Sequence, residues 1–353
     1  MYTLYSSLSL VSSLLISSIL LTSSSSIFVS AATPACSDIL NDLTPYNGEC
    51  TDTWATLKPI VRPTQPQVGY AWVQYKLDKD FTSESNAQAE LDASITPAIL
   101  GPTNDTNIFA IYYVDDHHTY CALDASGYDT VTATLNIICD LRNETLDTFW
   151  TYLGSHNYSM LAMHPLDQPN SLPLPINYTD MPLSLSFIKG DRTLSDDPWR
   201  SLAGFSRKIK DAPSPAPSCS NYKYCERCFY RGCNDGSQST GPSVPFFEFR
   251  WSYFMLSAYI DSTWWDSNKE YTTFVNSYET LPYPSTFGKI DTTAWLDTAS
   301  LLIPLCRGDN TGNYLLPTNI FEGATTLPGY TQGYTELDAD PTCDQPSNCI
   351  TMY

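Results

Sequence analysis

The residues best suited to chemistry lie together in Val114–Leu123, VDDHHTYCAL, where Asp115 and Asp116 directly precede two of the chain's four histidines, His117 and His118. A β-rich run ends there and a helical pattern begins. Free N–H groups of a first helical turn then face outward from a sheet end, which is a ready anion site, and Asp115 or Asp116 can cap them. Carboxylates beside a phosphate repel it unless they hold a metal, act as a base or position a hydroxyl. Asp115 and Asp116 are therefore candidate ligands of a divalent cation, and His117 or His118 is a candidate acid or base. Adjacent helical residues point about 100° apart, so only one of the two histidines is expected to meet a ligand. The plainer alternative has Asp115 capping the helix, one histidine packed on Tyr113 or Tyr120, and the other solvated.

Three further groups carry chemical potential. Lys76 closes the run VGYAWVQYKL; beside two acids it could neutralise them, bind a phosphate or form a Schiff base, and otherwise it is an exposed strand-end lysine. Asp196, Asp197 and Arg200 suit a local cap and ion pair, with Glu248 and Arg250 as partners from a neighbouring helix. Should those helices flank the open end of the sheet, Arg200 or Arg250 would bring a cation to the acid–histidine segment. Cys219, Cys225, Cys228 and Cys233 surround a central Cys-x-x-Cys, but the outer spacing fits no zinc motif and disulfides are the expectation.

The elements that must position these residues follow from periodicity. Val68–Leu77 alternates Tyr70, Trp72, Gln74 and Lys76 on one face and predicts a strand. Ser83–Ala93 predicts a short exposed helix, Ala98–Gly101 and Ile108–Val114 strands around a turn, Asp115–Ser126 a helix closed by Gly127, and Val131–Cys139 a buried strand. That order is an α+β unit with a small mixed sheet and flanking helices. Thr145–Leu153 predicts an amphipathic helix, and Ser195-Asp196-Asp197-Pro198 starts another, with a cap followed by proline where a missing N–H costs nothing. Phe246–Ile260 and Trp295–Ile303 are the helical stretches of a mainly helical, loop-rich C-terminal part. The expected organisation is residues 1–31 as a signal peptide, 32–65 as an arm clipped by a disulfide, 66–260 as the α+β domain with a Cys-rich loop at 211–243, and 261–353 as a loop-rich region.

Compartment and charge bound the partners. The first thirty residues hold no charge and end in Val29-Ser30-Ala31, all 11 cysteines lie beyond them, and sequons occur at Asn104, Asn143, Asn157 and Asn177. These signs predict a secreted glycoprotein with no membrane segment after signal cleavage. A formal net charge of -20 disfavours a nucleic-acid polymer as partner, because phosphate contacts need clustered Lys and Arg.

Four blocks in order, Arg62–Lys76 (RPTQPQVGYAWVQYK), Ile111–Leu123 (IYYVDDHHTYCAL), Asp196–Phe205 (DDPWRSLAGF) and Pro245–Phe254 (PFFEFRWSYF), resemble secreted members of the ParB-like nuclease family within the ParB/sulfiredoxin superfamily. The resemblance runs from Pro63 to about Ile260. It implies a ParB/sulfiredoxin-like fold and, through the family's name, a nuclease. Elsewhere in the superfamily the second block reads Asp-Gly-His-His-Arg and binds nucleotide phosphates at the helix start. Asp115, His117 and His118 match that pattern, while Asp116 stands for the glycine and Thr119 for the arginine, which removes a bidentate phosphate clamp. Sulfiredoxin chemistry is not implied, since its reactive cysteine precedes the histidine, where this chain has Asp116. Cys121, further along the helix, is expected to pair with another cysteine such as Cys139. The resemblance also favours lysine at position 76. The resulting expectation is a phosphoester hydrolase, or an enzyme binding a small anionic or phosphate-bearing ligand, with Asp115, His117, His118 and Lys76 catalytic and Asp116, Thr119 and Arg200 binding the ligand. The alternative is a secreted binding or structural protein that keeps the fold without catalysis.

Overall fold

Alternation along the strand Phe109–Tyr113 splits its side chains between two cores: Ile111 and Tyr113 face one way, Ala110 and Tyr112 the other, and all four are buried. The sheet built around this strand is seen in a computed structural model that describes residues 32–105, 108–156, 158–187, 192–206, 252–253, 255–256, 259–260, 268–281 and 290–301. In chain order the elements are α1 (Cys36–Asn41), β1 (Gly48–Thr53), α2 (Trp54–Leu57), β2 (Val61–Pro63), β3 (Gln67–Val68), α3 (Tyr70–Lys79), α4 (Glu84–Asp92), β4 (Thr96–Pro102) and β5 (Phe109–Tyr113). There follow α5 (His117–Ser126), β6 (Thr132–Asp140), α6 (Leu146–Ser155), β7 (Ala162–Met163), β8 (Leu174–Pro175), β9 (Ser195–Asp196) and α7 (Pro198–Ser206). Asn268–Glu279 and Thr292–Ser300 form α8 and α9.

The main sheet has the order β1-β6-β4-β5-β2, with β6–β4 and β5–β2 parallel and the other pairs antiparallel. This is the expected α+β architecture with a small mixed sheet. Its two edge strands, β1 and β2, come from the segment read in sequence as an arm. The disulfide Cys36–Cys50 ties α1 to β1, and buried Arg142 donates to the carbonyls of Ile39, Leu40 and Thr44 while pairing with Asp140. One sheet face carries Leu100, Ile111, Leu135 and Ile137 against Tyr120 and Leu123 of α5; the other carries Ile99, Tyr112 and Ile138 against Phe149, Trp150 and Leu153 of α6. Each such large side chain contributes roughly 1.5–3 kcal/mol on burial.

The strand expected over Val68–Leu77 is not formed. Only Gln67–Val68 is extended, and Tyr70–Lys79 is the helix α3. Tyr70 and Trp72 are spaced as in a strand but Trp72 and Tyr75 as in a helix, so packing decides: Trp72 and Tyr75, one turn apart, stack at 4.9 Å, and both meet Phe205 of α7. Several helix ends lie where the sequence places them. Ser83 caps α4, accepting from the Asn86 N–H, and Thr145 caps α6, accepting from the Thr148 N–H. Gly127 closes α5 in the left-handed region at φ 74°.

The predicted Cys121–Cys139 pairing is also not formed. Cys121 is buried in the core on one side of the sheet, where its thiol donates to the Leu185 carbonyl, whereas Cys139 is disulfide-bonded and belongs to the core on the other side. The sheet separates them. Asn104, Asn143 and Asn177 are exposed. Residues 1–31, Asn157, the Cys-rich loop at 211–243, Glu248 and Arg250 lie outside the described residues. Among the described residues no helix is long and apolar enough to cross a membrane.

Candidate functional site

The start of α5 is set by a residue in a left-handed conformation. Asp116, the N-cap, has φ 62° and ψ 18°, a region that Asp tolerates better than most non-glycine residues. That is the position at which the Asp-Gly-His-His-Arg pattern carries glycine, so the substitution keeps the backbone geometry. Its side chain makes no cap hydrogen bond; Oδ2 instead accepts from Thr96 Oγ1 at 3.0 Å and Ser94 Oγ at 3.4 Å. Asp115 is exposed, and its Oδ1 accepts from the Asp116 N–H at 2.8 Å.

His117 and His118 leave the helix in different directions, as adjacent residues must, but both end on the protein. His117 Nε2 accepts from the Thr64 N–H at 3.1 Å and His118 Nε2 from the Gly69 N–H at 3.0 Å, so the two rings hold the segment 64–69 at its two ends. An acceptor nitrogen carries no proton, which places the proton of a neutral ring on Nδ1. Burial pushes His117 well below the ordinary histidine range, and the positive Arg200 nearby pushes it the same way. Both histidines are thus buried, each with Nε2 committed to a backbone N–H. Thr119, the third residue of α5, is buried as well.

Two other helices begin at the same place. In a two-stranded parallel pair, Val68 of β3 lies opposite Asp196 of β9, so the starts of α3 and α7 emerge side by side. Asp196 Oδ1 accepts from the Tyr70 N–H at 2.8 Å in the first turn of α3, and Asp197 Oδ1 caps α7 through the N–H groups of Trp199 and Arg200 at 3.0 and 3.2 Å. Gly69 lets them meet: a Cβ there would lie 2.3 Å from the Ser201 nitrogen. Ser201 Oγ in turn accepts from the Trp72 N–H at 3.3 Å. Stacking of Trp199 on Tyr278 of α8 at 4.2 Å, and of Phe205 on Trp295 of α9 at 5.4 Å, supports α7 from behind.

The positive ends of α3, α5 and α7 therefore converge, and buried Arg200 adds a full charge among them. Arg200 Nη1 donates to Gln65 Oε1 at 3.3 Å. Burial raises the Asp196 carboxyl to about 7, against the opposing pull of the Tyr70 N–H and with the Asp197 charge adding to the rise. A carboxyl raised toward neutrality and only partly buried at convergent helix starts can give or take a proton.

Lys76 is elsewhere. In the last turn of α3 its ammonium binds Glu90 at 2.7 Å and Asp80 at 3.7 Å, so the predicted partnership with the acids of the α5 start is not made. Among the described residues no group of three or more His, Cys, Asp or Glu side chains is disposed to hold a metal. Sequence reasoning missed Gln65, Gln67 and His164, all buried here, and gave Asp196 only a capping role. The one available signal was the polar run Thr64–Gln67 inside an otherwise apolar stretch.

A family model described as "Putative ParB-like nuclease" matches residues 58–224. That span contains three of the four blocks on which the resemblance rests, including the whole α5 start. Among solved structures, protein Atu1540 from Agrobacterium tumefaciens is similar at 17% identity and a TM-score of 0.42, over 80% of this chain and 98% of that one. Curated proteins give no match.

Proposed function

We propose that this chain is a secreted, nuclease-like phosphoester hydrolase acting on a small phosphate-bearing ligand at the junction of α3, α5 and α7. The observation that carries the reading is the convergence of three helix N-termini and the Arg200 guanidinium on one polar patch, which favours an anion. The match to a ParB-like nuclease model supports the reaction class, and the net charge of -20 favours a small anion over a polymer.

The roles differ from those the sequence suggested. His117 and His118 position the segment 64–69 and through it the start of α3. Asp196 is the acid–base group: ionised, it takes the proton of a water as that water attacks phosphorus, and the P–O bond to the leaving oxygen breaks. Arg200 opposes the charge that grows on the phosphoryl oxygens. A divalent cation would be held by Asp115, which is exposed, and by Asp116, whose Oδ2 already serves Ser94 and Thr96; two carboxylates suffice for a hard cation that shares its shell with a substrate phosphate. Bound there, it would polarise the phosphoryl oxygens.

A non-catalytic binding protein is the second reading, favoured by one observation: both histidines spend Nε2 on backbone N–H groups. Hydrolysis of a nitrophenyl phosphodiester and of short oligonucleotides, with and without divalent cations, separates the two. Asp196→Asn should lower the rate at least a hundredfold while retaining phosphate binding in a thermal-shift assay. Phosphate binding without turnover in the wild type would leave the binding reading, and no binding at all would remove both.

A further inference from the structure

Two buried polar atoms face each other next to the candidate site with nothing else to bind. His164 Nε2 lies 3.6 Å from Asp197 Oδ2; both side chains are 1% exposed, and neither atom has a hydrogen-bond partner. The rest of each group is committed. His164 Nδ1 is 2.7 Å from the Ser171 carbonyl, which can only accept, so Nδ1 carries a proton. Asp197 Oδ1 takes the two N–H groups of the α7 cap. The His164 backbone is fixed too, its N–H donating to Gln67 Oε1 at 2.7 Å.

If Nε2 and Oδ2 both held lone pairs, two acceptors would oppose each other in a dry interior, at a cost of roughly 1–3 kcal/mol for each unsatisfied atom. A water placed in line between them would need them about 5 Å apart. Among the described residues, the charged and titratable groups around the pair are Asp196 beside it on β9, Arg200 on α7, and Tyr253, whose ring meets the His164 ring edge-on at 5.7 Å. Tyr253, in turn, is held protonated by burial, with Asp197 acting in the same direction and Arg200 opposing it. None of them hydrogen-bonds to either atom.

We infer that His164 and Asp197 form a buried dyad in which Nε2 carries a proton and faces Oδ2 across 3.6 Å as an ion pair, and that His164 is a positioning residue which, through Asp197, holds the start of α7 and thereby Arg200 and Asp196. The inference deepens the proposed site and rests on that reading for its functional meaning.

The test is nitrogen-15 NMR of the histidine rings in the full chain at neutral pH without ligand, combined with a carbon-13 titration of Asp196. The wild type should show His164 with a proton on Nδ1 and a second proton on Nε2. Asp197→Asn keeps the cap oxygen and offers an amide N–H to Nε2, so it should fold, and His164 should then carry only the Nδ1 proton. In that variant the Asp196 titration should respond, whereas His156→Gln, which alters a ring stacked between Tyr152 and Tyr158, should leave it unmoved. A lone-pair Nε2 beside an ionised Asp197 in the wild type, or an unchanged His164 signature in Asp197→Asn, would overturn the dyad. Titration of inorganic phosphate into the wild type tests the site separately: a chain that binds no phosphate yet keeps the Nε2 proton loses the proposed function and retains the dyad.

Discussion

Gly69→Ala tests whether the close approach of α7 to α3 builds the site. An added Cβ would stand 2.3 Å from the Ser201 nitrogen, 2.5 Å from its Oγ and 2.7 Å from its Cα, and two of those three atoms are backbone that cannot swing away. Ordinary carbon contacts begin near 3.5 Å, so α7 must retreat by about 1 Å. Overpacking of this kind costs about 1–3 kcal/mol. The retreat also strains the Trp72 N–H bond to Ser201 Oγ and the Tyr70 N–H bond to Asp196, each worth about 0.5–1.5 kcal/mol. A loss of about 3 kcal/mol in urea denaturation is expected, together with weaker phosphate binding. Gly154→Ala is the control: a Cβ there meets nothing within 4 Å, and alanine in a helix should stabilise by about 0.5–1 kcal/mol. A Gly69→Ala chain within about 0.5 kcal/mol of the wild type, the usual range for harmless surface changes, would refute the reasoning.

Other outcomes follow from the same structure. At Asp116, φ 62° predicts that Ala, which has neither the hydroxyl contacts nor freedom in that region, lowers stability by about 1–2 kcal/mol, and that Gly loses less; equal losses on thermal denaturation would contradict the backbone account. Asp196 has its folded value raised to about 7 from 3.8, so the native state holds the proton more tightly and stability must fall as pH rises from about 4 to 7. Asp196→Asn should remove that slope and be the more stable chain above neutrality, by on the order of 2 kcal/mol, as read from denaturation at a series of pH values. Arg142→Ala strands buried Asp140 and frees the carbonyls of Ile39, Leu40 and Thr44; a loss of about 3–5 kcal/mol and early proteolysis within residues 36–44 are expected, and an unchanged cleavage pattern would count against the clamp.

Local rules made much of this protein legible. Ser83, Thr145 and Asp197 cap the helices they precede because a short side-chain oxygen reaches N–H groups that no turn of helix can satisfy. Gly127 ends α5 because a left-handed residue costs glycine nothing. The β-rich run Ile108–Val114 marked a strand, and Asp115–Thr119 was recognisable as a strand-to-helix junction rich in acid and histidine.

What tertiary structure alone decided concerns partners distant in sequence. Whether Tyr70–Lys79 is strand or helix turned on Phe205 and Ser201, more than a hundred residues away, because aromatics at 70, 72 and 75 mix a strand spacing with a helical one. Lys76 joined Glu90 rather than the acids of the α5 start once that helix formed. His117 and His118 could not be told from catalytic residues until Thr64 and Gly69 were seen to occupy them, since an imidazole nitrogen accepts a backbone N–H or a substrate proton equally well. Asp196 gained its raised proton affinity only from burial between two helix starts, a property of the space around a carboxyl that no local pattern of residues contains.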